Sequence, residues 1–494
     1  MSRADEVRHG AEGVSRGVRA RRVLDRAIFA GLLALTIFAA VPYGSVDPWW
    51  EGLFEAWAFT LGALWMVEGA LAGSWLVPEH RLLVPLVALV AFALAQALLP
   101  LGTVSVAGVE TRASLSADSF ETVRFALKLA SLVLVAALHL RYTSSPRRLR
   151  ALVLTIIGVG VGSALFGIAR QVMQPEALSF ISARLAANRD GYAQFINRNH
   201  FAYFAEMSLG SALGLLLSAL GERRERLPLY FALALPPWAA LVLSNSRGGL
   251  LSMFVMLAAL ALLHFAFVRS THEAHAAGHA LRSRTLKRRL AARAALVACL
   301  LSVVAGGVVW VGGSQLVERL GTVAGEVSGE SKVRWGDRRV EIWGATWRLA
   351  REHPLAGVGF GAYRAAITAH HDASGEMSLE QAHNDYLELA ASGGIIGVGL
   401  VAWFAFVFFK RALSILRATD HARRAACAGA LGGVCAVATH SLFDFGLHVT
   451  ANAALFAALF AVATVGSRAG QRRGSRVRRS RSDSKVRALN LNDD

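Results

Sequence analysis

Cysteine is nearly absent from this chain. The three present, Cys299, Cys427 and Cys435, each fall inside an apolar stretch, which excludes a disulfide framework and a cysteine-rich metal site. Charge is also scarce: 17% of the 494 residues are charged against 54% hydrophobic, with a mean hydropathy of +0.44. A soluble core of this size does not need so much apolar surface. Acidic residues are outnumbered, 34 to 52, for a net charge of +18, so nucleic-acid binding has to be weighed against topology as the source of the excess. Finally, the first 26 residues lack the pattern of a signal peptide. Arginines run up to Arg26 and no small-residue cleavage site follows the next apolar stretch, so the first span is expected to be retained.

What is present is a series of apolar runs. A helix crosses the hydrocarbon in roughly 20 mostly apolar residues, and about twelve segments qualify: 27–43, 52–72, 82–99, 122–140, 151–172, 199–219, 229–244, 249–267, 294–313, 394–409, 426–444 and 451–467. The expected fold is therefore all-α and polytopic, about twelve transmembrane helices with a long, partly helical external loop. With the N-terminus placed in the cytoplasm, the inside segments hold 36 of the 52 Lys and Arg and the outside segments 13, leaving Arg124, Lys128 and Arg170 within spans. That asymmetry fixes orientation by the positive-inside rule. Both termini are then cytoplasmic, and the longest loop, about 314–393, is external. The basic excess is thereby explained by topology, and nucleic acid is not an expected partner. The expected organisation is a basic cytoplasmic segment 1–26, a membrane domain 27–467, and a disordered basic tail 468–494 that anchors topology or touches anionic lipid.

Four stretches carry unusual polar chemistry, and alternating topology puts all four on one side. They are Arg170-Gln171 continuing to Phe195-Ile-Asn-Arg-Asn-His-Phe-Ala-Tyr203, the tight turn Leu243-Ser-Asn-Ser-Arg-Gly-Gly249, the pair Asp337-Arg-Arg-Val-Glu-Ile-Trp343 and His353-Pro-Leu-Ala-Gly-Val-Gly-Phe-Gly361, and His383-Asn-Asp-Tyr-Leu-Glu-Leu-Ala-Ala-Ser-Gly-Gly-Ile-Ile-Gly397. A cation near lipid is costly unless paired, hydrated or facing a cavity. Arg170, Arg198, Arg247 and Arg339 are explained together if they share one anionic ligand, because a guanidinium stays charged and its planar fork matches phosphate oxygens. For any one of them alone, a helix cap or a headgroup contact is the simpler explanation.

His383 at the start of a helix can be a cap or a packing residue. An imidazole also titrates where a base is useful, and it can take a proton from a hydroxyl; Asn384 could orient it or a sugar. His370 and His371 lie nearby, yet no cysteine or carboxylate cluster joins them at ligand spacing, so no metal is expected. The helically spaced His272, His275 and His279 sit in a basic inside loop and read as solvated face.

Taken in order, these motifs resemble one family: the lipopolysaccharide O-antigen ligases, with the related O-antigen polymerases and bacterial O-oligosaccharyltransferases. The resemblance rests on Asn197-Arg-Asn-His-Phe-Ala-Tyr, Ser244-Asn-Ser-Arg-Gly-Gly, Arg339 four residues before Trp343 with Pro354-Leu-Ala-Gly-Val-Gly-Phe-Gly beyond, and His383-Asn-Asp-Tyr-Leu ending in Gly394-Ile-Ile-Gly, and it covers roughly 150–465. The family pattern often has an acidic residue two positions before Gly-x-x-Gly, where this chain has Ser392; Asp385 and Glu388 are the nearer carboxylates.

The resemblance implies transfer of a glycan from an undecaprenyl-diphosphate carrier to an acceptor hydroxyl, at the periplasmic face of a bacterial inner membrane, with no cofactor. His383, Arg247 and Arg339 would be catalytic, and Arg170, Arg198, Asn199, Arg338, Asn384 and Tyr386 would contact substrate. The partners implied are the carrier-linked glycan, membrane lipids and an acceptor, which is lipid A core for a ligase or another glycan for a polymerase. A transporter or flippase is the rival from another class, and Arg124 and Lys128 on one face of the fourth span are its best support. A non-catalytic scaffold leaves the clustered arginines unexplained.

Overall fold

The computed structural model describes residues 3–41, 43–106, 109–173, 190–222, 224–273, 339–370, 379–418 and 420–466. Apolar run length sets the helices: α1 (Arg3–Ala40), α2 (Pro48–Ala72), α3 (Val84–Leu98), α4 (Ser119–Tyr142), α5 (Pro146–Val172), α6 (Arg198–Glu222), α7 (Leu227–Leu243), α8 (Arg247–Glu273), α9 (Arg339–Glu352), the short α10 (Tyr363–Ile367), α11 (Asp385–Leu416), α12 (His421–His440) and α13 (Thr450–Thr464). Eight are long and apolar enough to cross a membrane. The expected ninth span, 294–313, lies outside the described residues, as do Arg338, His371 and the basic tail from 467. One feature departs from an all-helical chain: Pro100–Val106 and Val109–Ser114 pair antiparallel as a hairpin, β1 and β2.

Local chemistry starts the helices where the apolar runs begin. The Asp118 carboxylate accepts the Glu121 N–H at 3.1 Å, Ser145 Oγ accepts from Arg148 with Pro146 at the first turn, and Asp420 accepts from Arg423. Each satisfies a donor that the first turn leaves orphaned.

The short α13 is buried almost throughout and packs against α1, α4, α5, α6, α11 and α12. Around it, α6 and α12 approach closely because glycines face each other. A Cβ on Gly210 would lie 2.7 Å from the Gly433 amide nitrogen, and one on Gly214 would lie 2.6 Å from the Ala425 oxygen. Small residues at crossings are how helices gain packing where lipid supplies no hydrophobic drive between them. Large apolar side chains such as Leu262, Phe406 and Ile395 remain outside, each about two thirds exposed (65–69%), as a lipid-facing belt requires.

Described parts of the expected inside segments 1–26, 73–81, 141–150 and 410–425 meet at one end of the bundle. Arg148 pairs with Asp25, Arg141 reaches Glu68 at 2.7 Å and the Ser74 and Leu76 carbonyls, Arg411 pairs with Glu79 at 2.6 Å, and Arg423 donates to the Ser144 and Val465 carbonyls. Glu68 is 3% exposed in its side chain, and Arg21 also bonds it. The four polar stretches meet at the other end. Arg124 and Lys128, which favour transport on sequence, both have carboxylate partners: Glu121 at 3.0 Å and Glu51 at 2.7 Å.

At the site end, two glycine motifs interlock. α11 breaks at Gly394 (φ 56°, ψ −160°). The 354–361 segment docks on that break through Val358 N–H to the Ala391 carbonyl, Gly359 N–H to the Ser392 carbonyl, and Ile395 N–H to the Pro354 carbonyl. A Cβ on Gly357 or Gly394 would stand 2.3 or 2.4 Å from backbone atoms of the other segment. Gln96 on α3 closes the junction: its Nε2 donates to Ala356 O (2.6 Å) and Ser392 O (2.9 Å), while its Oε1 accepts Phe360 N–H. This junction fixes where the 383–397 segment begins.

Candidate active site

Arg198, Asn199, Arg247, Arg339 and His383 line one cavity of about 430 Å³, together with Asp190, Asn197, Asn245, Gly248, His440 and Asp444. Each side chain is delivered by a local device. Asn245 takes a left-handed backbone (φ 53°) and Ser246 Oγ accepts the Gly249 N–H at 3.1 Å, so Arg247 stands at the first turn of α8. Arg198 opens α6, where its N–H donates to Asp190 O and Asn197 Oδ1 accepts the Asn199 N–H.

His383 is held in a left-handed backbone (φ 50°), sparsely populated for a residue with a Cβ and stable only where its surroundings impose it. They do so from both sides. Ala382 N–H donates to the buried Glu388 carboxylate at 2.8 Å, Asn384 Oδ1 caps α11 by accepting from Tyr386 and Leu387, and Asp385 N–H donates to Ser441 O at 2.9 Å.

Asp444, in the turn after α12, organises the polar wall. Its side chain is 1% exposed. Oδ1 accepts from Phe445 N–H at 2.9 Å and lies 3.3 Å from His383 Nδ1; Oδ2 accepts from Asn199 Nδ2 at 2.5 Å, and Asn199 Oδ1 in turn accepts from Ser246 Oγ at 2.9 Å. Burial alone would raise the Asp444 carboxyl. The His383 hydrogen bond and the charges of His200, His383 and Arg339 outweigh it and hold the group well below the ordinary carboxylate range. An ionised Asp444 takes the Nδ1–H of His383, which leaves Nε2 with its lone pair for a proton.

Three expected residues, Arg170, Asn384 and Tyr386, stand elsewhere, as does His370. Arg170 donates to Ala193 O at 2.6 Å and so supports the 190–197 turn from behind. Asn384 is spent on the helix cap, and the Tyr386 hydroxyl donates to Ala438 O at 2.7 Å. His370 pairs with Glu352 at 2.8 Å, apart from the cavity. Three residues that shape the site were not expected from sequence: Asp444, His440 and Glu206, which lies 2.9 Å behind His440. The signal for all three was an ionisable group at or inside an apolar run.

A second cavity, about 350 Å³ and mostly apolar, borders the start of α11, with Leu86, Leu132, Phe404 and Phe456 in its walls and Lys128, Asp385, Glu388 and His448 among its polar lining. Among the described residues, no group of three or more His, Cys, Asp or Glu is arranged to hold a metal ion.

Fold and site together define a multi-pass helical membrane protein with a basic, histidine-bearing cavity at one end. Residues 229–402 match the family model described as O-antigen ligase, which supports the O-antigen ligase superfamily as the family of this chain. At the family level the match supports a membrane glycosyltransferase of the O-antigen ligase or polymerase type. No curated protein matches the chain.

Proposed function

We propose that this protein transfers a glycan from an undecaprenyl-diphosphate carrier to an acceptor hydroxyl within the arginine cavity, as an O-antigen ligase whose acceptor is lipid A core, at the periplasmic face of the inner membrane. The observation that carries this is the convergence of Arg198, Arg247, Arg339 and His383 on one cavity with Asp444 behind the histidine. Separate polar stretches of the chain supply these groups, which is what a shared anionic ligand demands.

The chemistry follows from the placement. Arg247 and Arg339 bind the diphosphate, with Arg198 and Asn199 beside them. His383 Nε2 takes the proton from the acceptor hydroxyl as its oxygen bonds to the anomeric carbon, and the bond from that carbon to the diphosphate breaks with its electron pair on the departing oxygen. Fixed guanidinium groups stabilise the charge that grows there. A single displacement inverts the anomeric carbon. Asp444 keeps the imidazole in the required tautomer and balances the imidazolium that forms. The carrier's apolar tail stays among the spans.

Purified protein, carrier-linked glycan and alternative acceptors test this. Arg247→Ala and Arg339→Ala should abolish transfer while folding is kept, and Lys at either position should rescue poorly for want of the bidentate fork. Full activity of both Ala variants would sink the donor assignment. Transfer to lipid A core supports the ligase; transfer only to a second carrier-linked glycan makes the protein a polymerase.

A further inference from the structure

His440, the last residue of α12, lines the same cavity as Arg247 and His383 and has no part in the roles assigned above. Its Nδ1 lies 2.9 Å from Glu206 Oε1 on α6, and both side chains are buried, at 1% and 0% exposure. Among the described residues, the second Glu206 oxygen has no hydrogen-bond partner. The Tyr203 ring stacks on the imidazole, centroids 4.1 Å apart and planes at 17°. On its other edge, His440 Nε2 lies 2.7 Å from where a Cβ on Gly248 would stand. Gly248 directly follows Arg247, so this nitrogen sits in the cavity wall beside the guanidinium's helix start.

A carboxylate buried among spans is costly without a compensating proton or cation. Among the described residues, His440 is the ion-pair partner that Glu206 has. The pair is therefore neutral overall and shares one proton, and this settles what Nε2 carries. With the shared proton on Nδ1, the ring is an imidazolium and Nε2 bears hydrogen. With it on Glu206, the carboxyl O–H donates to Nδ1 and the ring hydrogen is again on Nε2. Either way an N–H is offered to the cavity. His383 is the opposite case, since it gives its Nδ1–H to Asp444 and keeps a lone pair on Nε2. Two imidazoles whose surroundings fix opposite proton arrangements are the mark of an acid and base pair.

We propose that His440, set by Glu206, is the leaving-group donor of the transfer reaction: its Nε2–H bonds the diphosphate oxygen that departs from the anomeric carbon. This rests on the glycosyl-transfer reading above. As His383 takes the acceptor proton and the new glycosidic bond forms, the electron pair of the broken bond settles on that oxygen, where the Nε2 hydrogen meets it. The freed terminal phosphate carries more charge than the same phosphate esterified by sugar. The bond is therefore stronger in the transition state and the product than in the bound donor, which is the condition for raising kcat.

The test uses the purified full chain in lipid nanodiscs, carrier-linked glycan as donor, and geranylgeranyl diphosphate as a probe of the released product, with probe affinity read by calorimetry. His440→Ala should lower kcat by roughly 10²–10³-fold with donor KM little changed, and should weaken probe binding by about 10-fold or more. Glu206→Gln, which keeps shape and folding, should move kcat and probe affinity in the same direction by less. If Arg247→Ala loses the probe while His440→Ala and Glu206→Gln bind it as wild type does, the donor role is overturned and the glycosyl-transfer reading stands. Donor KM rising in step with probe Kd at unchanged kcat makes His440 a wall residue and also overturns the role. Failure of the wild type to bind the probe overturns both.

Discussion

Asp444→Asn is the most informative single change, because it alters charge while nearly preserving shape. In the wild type, Asp444 Oδ2 accepts from Asn199 Nδ2 at 2.5 Å and Asn199 Oδ1 accepts from Ser246 Oγ at 2.9 Å. The substituted amide sets one donor against another at the first contact. Flipping Asn199 to relieve it turns its donor toward Ser246, whose own hydroxyl hydrogen then loses its acceptor. One hydrogen bond to a charged group is lost, a cost of about 1.5–3 kcal/mol. The larger effect is on His383, which lies 3.3 Å from Asp444 Oδ1. The amide oxygen left in the Oδ1 place can still accept the Nδ1–H, but the imidazolium formed on proton transfer has no counter-charge. Single-turnover transfer at saturating carrier-linked glycan should fall roughly 10²–10⁴-fold, with donor affinity kept because Arg247 and Arg339 are untouched. A variant within a few-fold of the wild-type rate would refute the role of Asp444 and weaken that of His383.

Acid stability provides a check independent of activity. The Asp444 carboxyl is held below its ordinary value in the folded chain, so its contribution to stability is present above the unfolded value of about 3.9 and is lost as pH falls through the folded one. The melting-temperature gap between wild type and Asp444→Asn should thus be constant near neutrality and close only in strong acid; a gap that closes between pH 7 and 5 would contradict the assignment. Gly394→Ala puts a Cβ 2.4 Å from Leu355 O at a φ of 56°, and should lower thermal stability in detergent by about 1–3 kcal/mol, whereas an unchanged melt would mean the junction yields. Gln96→Leu strips partners from Ala356 O, Ser392 O and Phe360 N–H. At about 1–3 kcal/mol for each orphaned group, limited proteolysis should cut the 354–361 segment first, and protection equal to wild type would count against it.

Eight of the twelve expected spans recur among the described residues as helices long and apolar enough to cross a membrane, because apolar run length is a direct measure of what a bilayer demands; the runs at 122–140, 151–172 and 199–219 lie within α4, α5 and α6. The common end of the four polar stretches was legible for the same reason: once orientation alternates, their side follows. Arg198, Arg247, Arg339 and His383 do share a cavity. Side-chain direction was not legible, and this is why Arg170 turns to Ala193 O and Tyr386 to Ala438 O instead. His440 and Asp444 were hidden because the run 426–444 reads as one span, although α12 ends at His440 and the chain then turns back into the site. The glycines at 357, 359 and 361 are compatible in sequence with hinges or turns; the structure puts all three at positive φ, with 357 pressed against the backbone at Ser392. Gly325, Gly329 and Gly336 lie outside the described residues.

The most direct measurement is single-turnover glycan transfer by the purified chain in nanodiscs, with undecaprenyl-diphosphate-linked glycan and lipid A core, comparing wild type with His383→Ala across pH. Wild type should form the glycosylated acceptor and lose rate as acid protonates the base. His383→Ala should be slower by roughly 10²–10⁴-fold, lack that acid limb, and still bind the donor. A normal rate with weakened glycan binding would make His383 a positioning residue, and a wild type that binds the carrier-linked glycan yet transfers it to no acceptor would contradict glycosyl transfer as the function of the cavity.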